Sequence, residues 1–168
     1  MTDEADYNDP DHCTVGVTGE VGRRLFLFYC RQGLAEVTVK VEKQQVAVLA
    51  GYLGRIVKEL GRPGHLPDDL SFGGTNDPEW VVGTIGVSYD EELDRVVVVL
   101  EEVHDEDEEA ESGHVLRIAL TREQAAAFAI HATRLVEAGR PPCPLCGLPL
   151  DPSGHDCPRT NGHRPPVT

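Results

Sequence analysis

Four residues near the C-terminal end of the sequence are spaced as the ligands of a metal ion. Cys143 and Cys146 are separated by two residues, and the glycine that follows them allows a tight backbone turn. His155 and Cys157 are two positions apart, so an extended backbone directs both side chains to the same side. Three thiolates and one imidazole make the closed tetrahedral shell that structural zinc prefers. The sequence therefore predicts a structural Zn²⁺ site with these four ligands.

Three other interpretations of these residues stay open, and one is a reduced pair of cysteines with incidental neighbours. A thioredoxin-like redox pair is disfavoured, because the proline-rich surroundings offer no helix start that would lower the pKa of a thiol. His163 is a rival fourth ligand if one of the four side chains points away. A short tail rich in proline and glycine cannot build a core of its own, so we expect metal to supply its folding energy.

A second set of residues with the chemistry of a metal or acid–base site lies in the middle of the chain. His65 is close in sequence to Asp68 and Asp69, and such a set binds metal or acts as acid and base. The alternative, a polar surface loop, is favoured by the surrounding glycines and prolines. The sequence has no phosphate loop, nucleophile elbow or dinucleotide fingerprint. We therefore assign no catalytic residue and no cofactor-binding residue.

The elements that position these residues follow from the hydrophobic pattern. Alternating apolar residues predict strands, and apolar residues at every third or fourth position predict two helices. Thr121 is expected to cap the second helix. The predicted strands begin near Val15 and cover 25–30, 37–41, 80–89, 95–103 and 114–120; the helices end at Leu60 and Ala138.

The two halves of the chain resemble each other. Gln45 aligns with Gln124, and the apolar strand residues before each helix align as well. Each half reads strand, strand, strand, helix, over residues 14–61 and 81–139. The prediction is an α+β fold in which the two repeats form one antiparallel sheet with both helices on one face.

This pattern divides the chain into three parts. Residues 1–12 are acidic and polar, and we expect them to be disordered. Residues 13–139 form the duplicated α+β domain, and residues 140–168 form the zinc-binding tail.

The net charge of −14 limits the classes of partner. A nucleic-acid backbone and an anionic membrane both require a basic face, so neither is an expected partner. The charge is uneven, because residues 139–168 carry three arginines against two aspartates. No signal peptide and no membrane-spanning run is visible, which predicts a cytoplasmic protein.

The tail is specific enough to resemble a known family. Its Cys-Pro-Leu-Cys-Gly and Gly-His-Asp-Cys-Pro-Arg runs resemble an actinobacterial family called domain of unknown function three-zero-nine-zero. The stretches 42–46 and 116–121 are similar to that family too. The family has no established activity, but the resemblance implies a protein partner, such as a kinase-like or phosphatase-like neighbour.

These observations lead to one functional hypothesis and one alternative. The leading hypothesis is a zinc-containing, non-enzymatic adaptor or regulatory protein that binds a protein partner or a metabolite. The alternative is an enzyme or small-molecule-binding protein that uses a cleft between the two repeats, with the His65 loop as its lid. The sequence does not indicate an oligomeric state.

Overall fold

The computed structural model describes residues 2–19, 24–61, 64–104 and 113–138. Within these residues the chain forms seven strands and two helices, which confirms the α+β class. Their order is β1 (Thr2–Tyr7), β2 (His12–Thr18), β3 (Leu25–Gln32), β4 (Ala35–Val41), α1 (Lys43–Leu60), β5 (Val82–Asp90), β6 (Arg95–Glu102), β7 (Gly113–Leu120) and α2 (Arg122–Ala138). Each half therefore has the predicted order of strand, strand, strand, helix.

The strands form two sheets instead of the single predicted sheet. One sheet has the order β2-β3-β4 and is antiparallel throughout; the other has the order β1-β7-β6-β5. Backbone pairing between the two sheets is limited among the described residues. Lys40 in β4 makes an isolated parallel bridge with Val81, just before β5. Local alternation predicts each strand, but the partition into sheets depends on long-range pairing that alternation does not encode.

The first residues of the chain form strand β1, which corrects the prediction that residues 1–12 are disordered. β1 pairs in parallel with β7, with Glu4 opposite Val115 and Tyr7 opposite Ile118. Tyr7 is the buried anchor of this strand, at 6% exposure. The acidic composition concealed the strand because an edge strand gains much of its stability from backbone pairing rather than from apolar side chains.

The two halves match in their buried positions as well as in their order. The last strand of each half buries an aligned set of apolar residues, and so do the first turns of the two helices. The buried strand residues are Val37, Val39 and Val41 in β4 and Leu116, Ile118 and Leu120 in β7. The buried helix residues are Val46, Leu49 and Ala50 in α1 and Ala125, Phe128 and Ala129 in α2. An internal duplication stays a prediction, and these aligned positions support it.

Both helices begin with the same hydrogen bond. The Gln45 Oε1 atom accepts from the backbone N–H of Glu42 at 2.8 Å, and Gln124 Oε1 accepts from that of Thr121 at 2.9 Å. Thr121 Oγ1 in turn accepts from the Gln124 N–H at 3.0 Å, which confirms Thr121 as the predicted cap. These reciprocal bonds form a capping box and satisfy backbone donors that the first helical turn leaves free.

The helices link the two halves. α1 and α2 pack against each other, and each also packs on the first strand of the opposite half: α1 on β5 and α2 on β2. One continuous core results, with residues from both sheets and both helices. In the part of the chain that the structure describes, no helix is long and apolar enough to cross a membrane.

Candidate functional site

The four predicted zinc ligands lie outside the described residues. Cys143, Cys146, His155 and Cys157 all belong to 139–168, as does the rival ligand His163. In the described part of the chain, no group of three or more histidine, cysteine or acidic side chains is placed to hold a metal ion. The zinc site therefore stays a prediction that rests on the spacing and chemistry of its donors.

The predicted His65 loop is an exposed segment. His65 Nε2 lies 3.6 Å from Asp68 Oδ2, and both side chains are almost fully exposed. Asp69 Oδ1 accepts the backbone N–H of Ser71 at 2.9 Å. Hydrogen bonds from Ser71 hold the pKa of Asp69 below its ordinary value. The loop thus presents carboxylates to solvent and is stabilised mainly by local bonds.

Asp68 and Asp69 line a shallow cavity of about 490 Å³ against α2, where His131 and Arg134 form the opposite wall. His131 Nε2 lies 2.9 Å from the carbonyl oxygen of Val15, so this histidine has a structural partner. The cavity lies between the loop and one helix, whereas the alternative hypothesis places a cleft between the two repeats. The structure does not place His65 in its lining.

Segment 64–74 lies in the groove between α2 and β2. The N–H of Gly64 donates to Glu123 Oε1 at 2.8 Å, at the start of α2. Thr14 Oγ1 donates to the carbonyl oxygen of Leu70 at 2.7 Å. A methyl group added at Gly16 would lie 2.6 Å from the Phe72 ring. The groove therefore holds its own stretch of polypeptide in close contact with β2.

A corresponding groove lies between α1 and β5. It encloses about 690 Å³ and is lined by the first half of α1 and by the first half of β5. The lining residues are Glu42, Gln44, Gln45, Val48, Leu49, Tyr52, Gly83, Thr84, Ile85 and Val87. Val48 is 54% exposed and Tyr52 is 51% exposed, so two large apolar side chains of this groove face solvent in the described structure.

The edge of a sheet forms one wall of this groove. β5 pairs with β6 on one side and is the last strand of its sheet. Gln45 Nε2 donates to the carbonyl oxygens of Val82 and Gly83, at 3.3 and 3.2 Å, and so fixes the start of β5 against α1. The Arg55 guanidinium lies 5.7 Å from the centroid of the Tyr52 ring. The groove thus combines a strand edge, apolar side chains and a cation next to an aromatic ring.

Sequence reasoning missed this groove, although a signal for it exists. The predicted apolar stripe of α1 includes Val46, Leu49 and Leu53, and all three are buried. Val48 and Tyr52 lie off that stripe, on a face where an amphipathic helix normally carries polar residues. Apolar residues off the buried stripe are therefore the pattern that could have identified the groove.

His114 and Glu102 form a second arrangement that the sequence did not reveal. The Nδ1 atom of His114 lies 2.8 Å from Glu102 Oε2. Its ring stacks on Trp80, with centroids 5.7 Å apart and an interplanar angle of 11°. The hydrogen bonds from His114 lower the pKa of Glu102. Trp80, just before β5, is thereby connected to β6 and β7.

The two cysteines outside the predicted zinc cluster lie opposite each other in the core. Cys13 in β2 and Cys30 in β3 are register partners, and both are free and buried. Burial raises the pKa of the Cys13 thiol, and a hydrogen bond with Cys30 adds to this effect. Cys30 is therefore a small residue of the hydrophobic core.

The comparisons with known proteins identify a family. The family model described as a protein of unknown function (DUF3090) matches residues 5–157. The chain belongs to this family. The match extends from β1 to the last predicted zinc ligand, so DUF3090 includes both the described domain and the cysteine-containing tail. No curated protein matches the sequence significantly, and no solved structure does.

Proposed function

We propose that this DUF3090 protein is a zinc-containing, non-enzymatic adaptor that binds an extended segment of a partner protein in the α1–β5 groove. The observation that carries the proposal is the groove itself, which exposes Val48 and Tyr52 beside the edge of a sheet. Fully burying an exposed apolar side chain contributes about 1.5–3 kcal/mol, so covering two that are half exposed contributes roughly that amount in total. This apolar contact would help to hold a peptide in the groove.

The chemistry of the groove favours a polypeptide over a compact metabolite. An edge strand has backbone donors and acceptors that an extended peptide can pair with, while adjacent pockets select its side chains. The α2–β2 groove supports the same interpretation, since residues 64–74 already lie in it. A surface of similar construction therefore accommodates backbone elsewhere in the same molecule.

Zinc has a structural role in this proposal. Cys143, Cys146, His155 and Cys157 would complete a tetrahedral shell with no open position for a substrate. The metal would order the tail, and the tail would be the part of the chain with a positive net charge. A kinase-like or phosphatase-like protein is the partner class that the family resemblance suggests. We propose that the complex forms in the cytoplasm, without nucleic acid or membrane.

A second candidate function is supported by the cavity beside the His65 loop. Asp68 and Asp69 face Arg134 across about 490 Å³, so a small polar molecule could bind there. In that case the protein would be a small-molecule-binding protein or an enzyme. Retention of a metabolite by the purified chain, lost in an Asp69→Asn variant, would favour this function.

Differential capture tests the leading proposal. Three full-length baits would be exposed to extract of the native host: wild type, Tyr52→Asp and the control Leu93→Asp. Leu93 is also exposed, at 61%, but lies on the β5–β6 turn. We expect a protein that wild type and the control retain and Tyr52→Asp loses. Binding of that protein must then be reproduced with purified components by calorimetry, and equal retention by all three baits would contradict the proposal.

A further inference from the structure

The two grooves are equivalent positions in the two halves of the fold. The α2 residues Glu123, Ala127 and His131 align with Gln44, Val48 and Tyr52 of α1, by the same alignment that matches the two capping glutamines. The first set lies along the filled groove, where Glu123 binds Gly64 and the other two face residues 66–71. All three members of the second set line the open α1–β5 groove. The β-strand walls correspond too, because Gly16 in β2 aligns with Gly83 in β5.

The aligned residues of the two helices differ in their exposure to solvent. Ala127 is 4% exposed and His131 is half-buried, whereas Val48 and Tyr52 are about half exposed. Larger apolar side chains thus occupy the more open position. In the first half, the covering segment is the stretch of chain that directly follows the helix α1. In the second half, the corresponding stretch follows α2 and comprises residues 139–168.

The helix arrangement places Ala138, the last described residue before that stretch, near the start of the open groove. The C-terminal end of α1 meets the start of α2, where Arg122 Nη1 donates to the carbonyl oxygen of Leu60 at 2.8 Å. Near their middles, a methyl group added at Gly54 would lie 3.9 Å from the Ala129 side chain. The helices therefore run antiparallel, and the end of α2 lies towards the start of α1. Ala138, the last residue of α2, therefore lies towards Glu42 and Gln44, at one end of the groove.

Charge favours the same contact. Residues 139–168 carry a net charge of +1, and the preceding residues carry −15. The groove wall includes the carboxylate of Glu42. A segment with arginines and few acids is attracted to such a surface, whereas the acidic body of a second copy is repelled.

We propose that residues 139–168 occupy the α1–β5 groove of their own chain, as residues 64–74 occupy its counterpart. The tail covers Val48 and Tyr52 in the resting protein. A partner segment that enters the groove has to displace the tail, and this regulatory consequence rests on the proposed function. The occupancy of the groove by the tail does not rest on the proposed function, because it is inferred from the correspondence of the two halves.

Photo-crosslinking within the full chain tests the occupancy. Tyr52 would be replaced by p-benzoyl-phenylalanine, with Val48 as a second position and Leu93 as the exposed control. We expect monomeric cross-links from both groove positions to peptides of 139–168, and few from the control. Cross-links to a second copy, no tail peptide from either groove position, or equal tail yields from the control would overturn the inference.

Proteolysis supplies an independent readout on intact protein. Tyr52→Asp places a carboxylate where the tail would pack, so we expect trypsin to cleave after Arg159, which Thr160 follows, about tenfold faster than in wild type. Leu93→Asp should leave that rate unchanged, and equal rates in both variants would contradict tail docking. Neither experiment contains a partner. Failure of the tail to dock is thus separable from failure of the adaptor function, which the capture experiment reports.

Discussion

At the scale of single residues, the clearest electrostatic arrangement is the carboxylate of Glu102. Both the ring and the backbone N–H of His114 lie within hydrogen-bond distance of Glu102 Oε2, at 2.8 and 2.9 Å. His104 adds a further charge effect in the same direction, and the pKa of Glu102 falls below its ordinary value of 4.5. A lowered carboxyl pKa means that the ionised form stabilises the folded protein.

The sign of this shift predicts how stability depends on pH. The contribution of Glu102 is fully present above its ordinary pKa and is lost as pH falls through the lowered value. Glu102→Gln should therefore cost about 1 kcal/mol at pH 7 and progressively less in acid. Chemical denaturation of both proteins between pH 3 and pH 7 measures this difference. Glu101→Gln, one position away on the exposed side of β6, is the control, and an equal effect of the two substitutions would contradict the assignment.

At the scale of elements, the two halves match in most detail at the starts of their helices. Gln45 and Gln124 each close a capping box, and each also reaches the opposite half. Gln45 Nε2 donates to the start of β5, and Gln124 Nε2 donates to the carbonyl oxygen of Pro10 at 2.7 Å, just before β2. Each side chain thus fixes a helix end and joins the two halves.

This double role predicts matching losses of stability. Gln45→Ala and Gln124→Ala should each lower the free energy of unfolding by about 1–2 kcal/mol. Gln44→Ala is the matched control, because Gln44 is the neighbouring glutamine without the capping role, and it should change stability by less than about 0.5 kcal/mol. Thermal unfolding of the three variants gives the comparison. If Gln44→Ala proves as costly as Gln45→Ala, the capping account of α1 is wrong.

The elements also show which parts of the fold were predictable from the sequence. Periodicity predicted both helices and the strands β2 to β7, since the apolar residues of each recur at the spacing of its element. It missed β1, where Tyr7 is the main apolar anchor and the pairing partner is more than a hundred positions away. No local sequence pattern indicates that each helix packs on the first strand of the opposite half. The α1–β5 groove was missed because it forms only where α1 meets β5, and its one local sign is the pair of apolar residues Val48 and Tyr52 off the buried stripe of α1.

At the scale of the whole molecule, the predicted zinc site concerns the tail and its relation to the domain. We expect about one zinc ion per chain, to be measured by elemental analysis of protein purified without added metal. Cys146→Ser should lower the zinc content and make the chain protease-sensitive from about Arg140, while residues 14–138 stay folded. Ser153→Ala, a tail substitution outside the ligand set, is the control. Loss of folding of the entire chain would show that the tail belongs to the main core.

The central claim is that the α1–β5 groove is a polypeptide-binding groove, filled by the tail at rest and by a partner segment in the complex. Hydroxyl-radical footprinting of the full chain measures side-chain accessibility directly, with each residue normalised to its rate in unfolded protein. We predict that Val48 and Tyr52 are oxidised much more slowly than Leu93, although the described structure leaves all three about equally exposed. The same protection should persist with a captured partner bound. Oxidation of Val48 and Tyr52 at the rate expected for half-exposed side chains, with and without partner, would contradict the claim.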